Sequence, residues 1–138
     1  MAKRVLQKRF VVLEHTPSDV FDRTGDVHFD WMFENEESLL TWATEPIDNL
    51  DPSICIAAQK LPDHRREYLD FEGDIGGNRG SVVRRFEGDY RLLDCENGVF
   101  VAELVLVSQR DRYDKREPHD DRSRKIRLEI RSGILRLL

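Results

Sequence analysis

Residues 27–33 have the sequence Val-His-Phe-Asp-Trp-Met-Phe, in which aromatic residues at 29, 31 and 33 alternate with His28, Asp30 and Met32. This alternation constrains the fold of the chain more than any other feature. Successive side chains of a β-strand point to opposite faces, so the three aromatic residues of the run share one face. Burying that face requires a core on one side of a sheet. His28 and Asp30 then lie side by side on the other face. The run predicts a strand that presents an imidazole and a carboxylate together.

A second strand-like segment, residues 9–15, ends in a histidine that can join this pair. If the two segments pair as a hairpin across the polar loop 16–27, His15 meets His28 and Asp30. Two imidazoles and one carboxylate suit a divalent transition metal that keeps coordination positions open for water and substrate. The sequence thus indicates a metal site. The alternative is a set of polar residues on a solvent-exposed sheet face.

The His-x-Asp spacing is a weak signal by itself. His119 and Asp121 have the same spacing, but they belong to the charged stretch 110–125, which predicts a solvated loop. The metal interpretation therefore depends on the strand context and on the third candidate ligand.

Composition bounds the class of protein. The chain has 138 residues, of which 39% are hydrophobic and 36% charged, and this suits one domain over residues 1–138 with a substantial core. No apolar run approaches the roughly 20 residues that span a bilayer, and the basic start lacks the apolar segment of a secretory signal. No membrane partner is expected. Two isolated cysteines, Cys55 and Cys95, favour reduced thiols and a cytoplasmic location.

The formal net charge of −5 limits the partners further. A protein that follows long DNA through many phosphates usually carries a basic surplus, because counterion release supplies most of its non-specific affinity. This chain has no such surplus. Nucleic acid is therefore expected to contact it only at one end or one phosphate.

The remaining pattern is mostly β. Short apolar or alternating runs between Gly and Pro turns predict a mainly β fold, an antiparallel barrel or sandwich with short helical segments. A helical turn or two over residues 62–69 would put His64 and Tyr68 on one face, and Glu87-Gly88 suggests the turn of a hairpin. The predicted strands cover residues 9–15, 27–34, 38–44, 54–61, 81–86, 89–94, 99–108, 126–131 and 134–138.

Residues 71–80 hold the densest glycine cluster of the chain. The cluster lacks the Gly-Lys-Ser/Thr ending of a phosphate-binding loop, and no convincing helix follows it. Glycines also allow the tight reversal and close backbone approach of a barrel corner. This structural interpretation is the favoured one.

Several motifs follow one another in a distinctive order over residues 8–94. They are residues 9–15, His28–Glu34, Thr41-Trp42-Ala43, Asp63-His64 with Tyr68, Phe71-Glu72-Gly73 and residues 76–90. This ordered set resembles the 3′-phosphoesterase domain of bacterial DNA ligase D, an enzyme of non-homologous end joining. The resemblance implies a compact β-barrel core and a manganese-dependent site that removes 3′-phosphates and 3′-terminal ribonucleosides from DNA ends. The ligase motif Lys-x-Asp-Gly is absent from the sequence, so neither ligase nor polymerase activity is expected.

By position, the resemblance assigns the metal ligands of the family to His15, His28 and Asp30, with Mn²⁺ or another divalent transition metal as cofactor. His64 matches the histidine that contacts the scissile phosphate, and Tyr68 matches a tyrosine four residues beyond it. The metal would polarise one phosphoryl oxygen while the imidazole stabilises charge on the others. The expected partners are a nucleic-acid 3′ end or a small phosphate substrate, and end-joining proteins.

Three cationic phosphate ligands of the family are missing. The family has an arginine where this chain has Met32, and a lysine where it has Glu45 or Pro46. A second arginine of the family falls near Ile56. One such donor is often worth about 3 kcal/mol of transition-state stabilisation, so an active enzyme needs replacements. The candidates are Arg79 in the glycine cluster, Arg84 just after it, and Arg65 beside His64.

Three functions remain open. The first is a metal-dependent phosphoesterase that acts on 3′ ends of nucleic acid in DNA end processing and repair, or on a related small phosphate. The second is a catalytically weak or inactive end-binding or interaction module with the same barrel, which the missing cations and the net charge favour. The third is a metal-binding β-barrel with an unrelated substrate.

Overall fold

The computed structural model describes residues 8–17, 27–77, 79–106 and 124–138. These residues form one ten-stranded antiparallel sheet and a 3-10 helix, Arg66–Leu69. The strands are β1 (Lys8–Thr16), β2 (His28–Glu34), β3 (Leu39–Thr44), β4 (Cys55–Ala57), β5 (Gln59–His64), β6 (Gly73–Asp74), β7 (Ser81–Asp94), β8 (Phe100–Leu106), β9 (Arg124–Arg131) and β10 (Ile134–Leu137). The prediction of a mainly β, antiparallel fold is confirmed.

The order of the strands across the sheet is β4-β10-β9-β8-β7-β1-β2-β3-β5, and β6 pairs separately with β7. The predicted strand 54–61 is divided into β4 and β5, which lie at opposite ends of this order although only Ala58 separates them in the chain. Among the described strands, the hydrogen-bonded ladder is not closed into a barrel.

The predicted hairpin turn at Glu87-Gly88 is wrong. β7 continues through this point for 14 residues, and Gly88 is paired with Phe10 of β1 on one side and Leu106 of β8 on the other. A Cβ atom on Gly88 would lie 2.0 Å from the carbonyl oxygen of Val105. The glycine therefore permits close approach of neighbouring strands, which a sequence pattern does not distinguish from a turn.

The predicted helical segment is shorter than expected. Residues 62–64 belong to β5, which pairs with β3 up to Leu39 opposite His64, so only Arg66–Leu69 is helical. The loop predicted at residues 110–125, with His119 and Asp121, lies outside the described residues except for positions 124 and 125, which belong to β9. Within the described ranges, no helix is long and apolar enough to cross a membrane.

Two hydrophobic clusters lie on opposite faces of β2. Phe29, Trp31 and Phe33 enter the larger cluster, as the alternation predicts, and the Trp31 indole N–H donates a hydrogen bond of 2.8 Å to Thr44 Oγ1. Met32 enters a second, smaller cluster on the other face. Its buried members are Val11, Leu13, Met32, Leu39, Leu69 and Val82. The face that carries the predicted metal ligands is therefore partly covered by protein.

Candidate metal centre and cavity

The pairing of β1 with β2 brings the three predicted metal ligands together. His15 is directly opposite His28, and Leu13 is opposite Asp30 in the same antiparallel ladder. Side chains opposite each other on one face have Cβ atoms about 5 Å apart, and diagonal neighbours remain within reach of long side chains. The hairpin register thus places two imidazoles and a carboxylate on one face of two adjacent strands.

The spacing of the donor atoms suits one metal ion. His28 Nε2 lies 3.2 Å from His15 Nδ1 and 3.2 Å from Asp30 Oδ1, and His15 Nδ1 lies 3.7 Å from Asp30 Oδ2. Ligand atoms about 2.1 Å from a common ion are about 3.0–3.5 Å apart at angles of about 90–110°. One donor atom from each residue falls within 4.8 Å of the others. A divalent ion fits this triangle with little movement of the side chains.

Asp30 is the buried member of the group. Its side chain is 4% exposed, against 21% for His15 and 30% for His28, so the alternative of an exposed polar sheet face does not hold for Asp30. Its Oδ1 atom accepts no hydrogen bond from the part of the chain that the structure describes. His28 Nε2 lies 3.2 Å from Oδ1 but makes no hydrogen bond to it. A buried acceptor that lacks a hydrogen bond costs about 1–3 kcal/mol, and more when it is charged. A cation in the triangle would remove this cost.

The other nitrogen of His15 contacts the backbone. His15 Nε2 lies 2.8 Å from the carbonyl oxygen of Arg79. Because a carbonyl only accepts, Nε2 carries the proton in a neutral ring and the lone pair of Nδ1 faces His28 and Asp30. Metal-binding histidines commonly have their second nitrogen fixed in this way by a carbonyl or carboxylate.

A cavity of about 560 Å³ adjoins this centre, and it is large enough for a small phosphate compound. Its lining includes His15 and Asp30 as well as both predicted catalytic residues, His64 and Tyr68. The rings of His64 and Tyr68 are in edge contact, with centroids 5.9 Å apart. His64 Nδ1 lies 2.8 Å from the carbonyl oxygen of Pro62, to which it donates in the neutral ring. His64 is not part of the three-residue ligand group found in the described ranges.

Two of the three candidate phosphate-binding arginines line the cavity. Arg65 has a largely exposed side chain, 3.7 Å from Glu67. The guanidinium of Arg79 donates to the carbonyl oxygens of Gly76 and Ile75 in the glycine cluster. Both cations are therefore at the cavity, although neither is held rigidly by an ion pair with a buried carboxylate.

Arg84 does not line the cavity. Its side chain is 12% exposed and lies 3.0 Å from the Glu87 carboxylate and 3.8 Å from that of Glu72. Two carboxylates already neutralise this guanidinium, and binding a phosphate would require breaking the pair with a buried glutamate. The role of Arg84 as a phosphate ligand stays a prediction that these ion pairs do not favour.

Sequence reasoning missed three carboxylates of the cavity wall: Asp63, Glu67 and Asp74. Asp63 accepts a hydrogen bond of 2.7 Å from Ser38 Oγ, and Asp74 accepts one of 2.7 Å from the backbone N–H of Gly76. Asp63 and Glu67 are neighbours of His64 and Tyr68 in the chain, whereas Asp74 comes from the glycine cluster, and no local spacing indicates that it shares their cavity. They make the wall mixed in charge rather than cationic.

The positions that depart from the family pattern supply no cation to the cavity. Met32 lies in its wall, buried in the second cluster. Glu45 and Pro46 are exposed, and Ile56 packs against the larger cluster.

No protein-family model and no curated protein matches this chain. The resemblance to the phosphoesterase domain of DNA ligase D therefore depends on the sequence motifs alone.

Proposed function

We propose that this protein is a divalent-metal-dependent phosphoesterase that acts on 3′ ends of nucleic acid or on a related small phosphate. One observation carries the proposal: the buried Asp30 carboxylate lies 3.2 Å from His28 Nε2 and 3.7 Å from His15 Nδ1 at the edge of a cavity, and its Oδ1 accepts no hydrogen bond from the described residues. Burying a carboxylate without a full set of hydrogen bonds has a physical purpose if a metal binds there. Mn²⁺ is the proposed ion, held by His15, His28 and Asp30.

The chemistry requires that the phosphate lie between the metal centre and the other functional groups of the cavity. The bound ion would act as a Lewis acid on a phosphoryl oxygen. In its imidazolium form, His64 would donate a hydrogen bond from Nε2 to a second phosphoryl oxygen while Nδ1 keeps its bond to the Pro62 carbonyl. With Tyr68 against its ring, it would stabilise the negative charge that develops there. Attack by water forms the new P–O bond, the bond from phosphorus to the 3′ oxygen breaks, and that oxygen takes up a proton.

Arg65 and Arg79 are the proposed replacements for the missing cations. Both line the cavity, and neither guanidinium is committed to a buried carboxylate as that of Arg84 is. Charge-assisted hydrogen bonds from guanidinium groups suit phosphate oxygens well. Arg79 would have to exchange its two carbonyl partners for phosphate.

A second function, a metal-binding end-recognition module without catalysis, is favoured by the charge of the cavity wall. Asp63, Glu67 and Asp74 stand there against Arg65 and Arg79, which is a sparse set of cations for stabilising a phosphoryl transition state. This module would use the same metal centre.

One assay separates the two functions: release of inorganic phosphate from a 3′-phosphorylated primer–template with Mn²⁺ or with a chelator. We expect Mn²⁺-dependent release by the wild type and a loss of at least about 100-fold in Asp30→Asn, since the metal ligand is removed. Asp48→Asn is the matched control, because Asp48 is an exposed carboxylate outside the cavity wall. It should retain full activity.

Calorimetry with Mn²⁺ completes the assignment. If the wild type binds Mn²⁺ but releases no phosphate, the enzyme proposal fails and the binding module stands. If it binds neither Mn²⁺ nor another divalent transition metal, both proposals fail.

We also propose that the sheet closes into the barrel that the resemblance implies. The support is the position of Ala58, whose N–H donates to the carbonyl of Gly133 next to β10 while β5 continues along β3. A single kinked segment would then connect both ends of the sheet. Cross-strand NOEs from 55–57 to β10 and from 59–64 to β3 in one solution sample would support closure, and their absence on either side would contradict it.

A further inference from the structure

The glycine cluster contacts the metal centre through its backbone rather than through its arginine side chain. The carbonyl oxygen of Arg79 lies 2.8 Å from His15 Nε2. Two backbone hydrogen bonds hold this segment in shape, from Ile75 N–H to the Gly80 carbonyl at 2.9 Å and from Arg79 N–H to the Gly76 carbonyl at 3.2 Å. The carbonyl that faces His15 is thus part of a hydrogen-bonded turn.

Gly80 sets how closely this turn approaches the end of β1. A Cβ atom on Gly80 would lie 2.1 Å from the carbonyl oxygen of Thr16 and 2.9 Å from the Cα atom of Pro17. Backbone atoms at these distances cannot give way without moving one segment from the other. Gly80 follows Arg79, and Thr16 follows His15, so this close approach lies next to the His15–Arg79 hydrogen bond.

We infer that Gly80 is a positioning residue of the metal centre, which acts through the Arg79 carbonyl to hold His15 in the tautomer that presents the Nδ1 lone pair to the metal. The metal part of this inference rests on the proposed function. The tautomer part does not, because the hydrogen bond joins two groups of the chain itself. Loss of such an outer partner typically weakens metal binding about 10- to 100-fold.

The inference separates the backbone of Arg79 from its side chain. Arg79→Ala removes the guanidinium and keeps the carbonyl, so the His15 tautomer and Mn²⁺ affinity should remain as in the wild type. Gly80→Ala keeps the guanidinium and displaces the carbonyl, so both should change. A role of Arg79 through its charge alone predicts the opposite order of effects.

The tautomer is measured on the metal-free protein by ¹⁵N NMR of the imidazole ring nitrogens, at about pH 8, above the ordinary titration range of imidazole. In the wild type we expect His15 to carry its proton on Nε2. A proton on Nδ1 would overturn the inference without any variant. In Gly80→Ala we expect a mixture of tautomers, and an unchanged ring spectrum in a folded variant would also overturn it.

The control for backbone strain is Gly98→Ala. Gly98 has a positive φ of 76°, like Gly80 at 100°, but a Cβ there would contact nothing within 4 Å. Gly98→Ala should therefore lose some stability and leave the His15 ring spectrum unchanged. If it alters the His15 spectrum as much as Gly80→Ala does, general destabilisation of the fold causes the spectral change in both variants, and the inference fails.

Titration with Mn²⁺ alone then tests the link to the metal. We expect the dissociation constant to rise about 10- to 100-fold in Gly80→Ala and to stay unchanged in Arg79→Ala and Gly98→Ala. Equal Mn²⁺ affinity in Gly80→Ala and wild type would overturn the metal part of the inference. A wild type that binds no Mn²⁺ would overturn the proposed function, while the ring spectra of the metal-free protein would still decide the role of Gly80.

Discussion

Replacing Asp30 by asparagine should stabilise the metal-free protein and abolish its stabilisation by metal. The wild-type carboxylate is 4% exposed, and its Oδ1 accepts no hydrogen bond from the described residues. Asparagine has nearly the same shape and no charge to desolvate. Removing the desolvation cost of this charge is worth about 1–3 kcal/mol, which corresponds to a rise in Tm of about 3–10 °C for a domain of this size.

Bound metal should make the wild type more stable than Asp30→Asn, the reverse of the order without metal. A ligand that binds only the folded state stabilises it by about 2.7 kcal/mol at a concentration 100 times its dissociation constant. Saturating Mn²⁺ should therefore raise the stability of the wild type by this amount and leave Asp30→Asn nearly unchanged. The change in the free energy of unfolding caused by Asp30→Asn should therefore have opposite signs with and without metal. This behaviour is typical of a residue retained for binding at the cost of stability.

The assay is urea unfolding of both proteins at about pH 8, once with a chelator and once with Mn²⁺. Asp48→Asn serves as the control, because an exposed carboxylate should change stability by no more than about 0.5 kcal/mol. If Asp30→Asn lowers the stability of the metal-free protein, the carboxylate has a structural partner and the argument from its missing hydrogen bond is refuted.

Three further predictions test other parts of the structure. His64→Ala should leave the Mn²⁺ dissociation constant unchanged and lower the rate of phosphate release by about 100- to 1,000-fold, the usual effect of losing one charge-stabilising donor; an equal loss of Mn²⁺ affinity would mean that His64 is a ligand. Gly88→Ala should destabilise the fold by about 1–3 kcal/mol or more in urea unfolding, because its Cβ would meet the Val105 carbonyl oxygen at 2.0 Å, and a neutral effect would contradict the close strand approach. Burial, with a smaller effect of Glu34, raises the pKa of Tyr90 from 10.0 to about 12. Between these pH values the folded protein keeps a proton that the unfolded chain loses, so the free energy of unfolding should fall as pH rises from 10 towards 12. Tyr90→Phe should remove this decrease.

The cluster of His15, His28 and Asp30 was predictable from the sequence because two simple rules bring these residues together. Alternation in β2 puts His28 and Asp30 on one face, and antiparallel pairing of two consecutive strands brings the end of β1 opposite the start of β2, so that His15 meets His28. Both rules act on residues that are near each other in the chain. The aromatic residues of β2 supply the burial that fixes the register.

Other features depend on contacts between distant segments, which a single sequence does not encode in a readable pattern. Gly88 suggested a turn because its role, close approach to the Val105 carbonyl, involves a neighbouring strand. Arg84 suggested a phosphate ligand, but Glu72 and Glu87 hold it in ion pairs. The contact of His15 with the Arg79 carbonyl involves a backbone atom, so no residue type could indicate it.

A crystal soaked in Mn²⁺ and measured for the anomalous signal of manganese tests the metal centre most directly. We expect one peak about 2.1–2.3 Å from His15 Nδ1, His28 Nε2 and a carboxylate oxygen of Asp30, with the remaining coordination positions open to the cavity. A peak elsewhere, or none at these three residues in crystals that contain the ion in excess, would contradict the assignment of the centre.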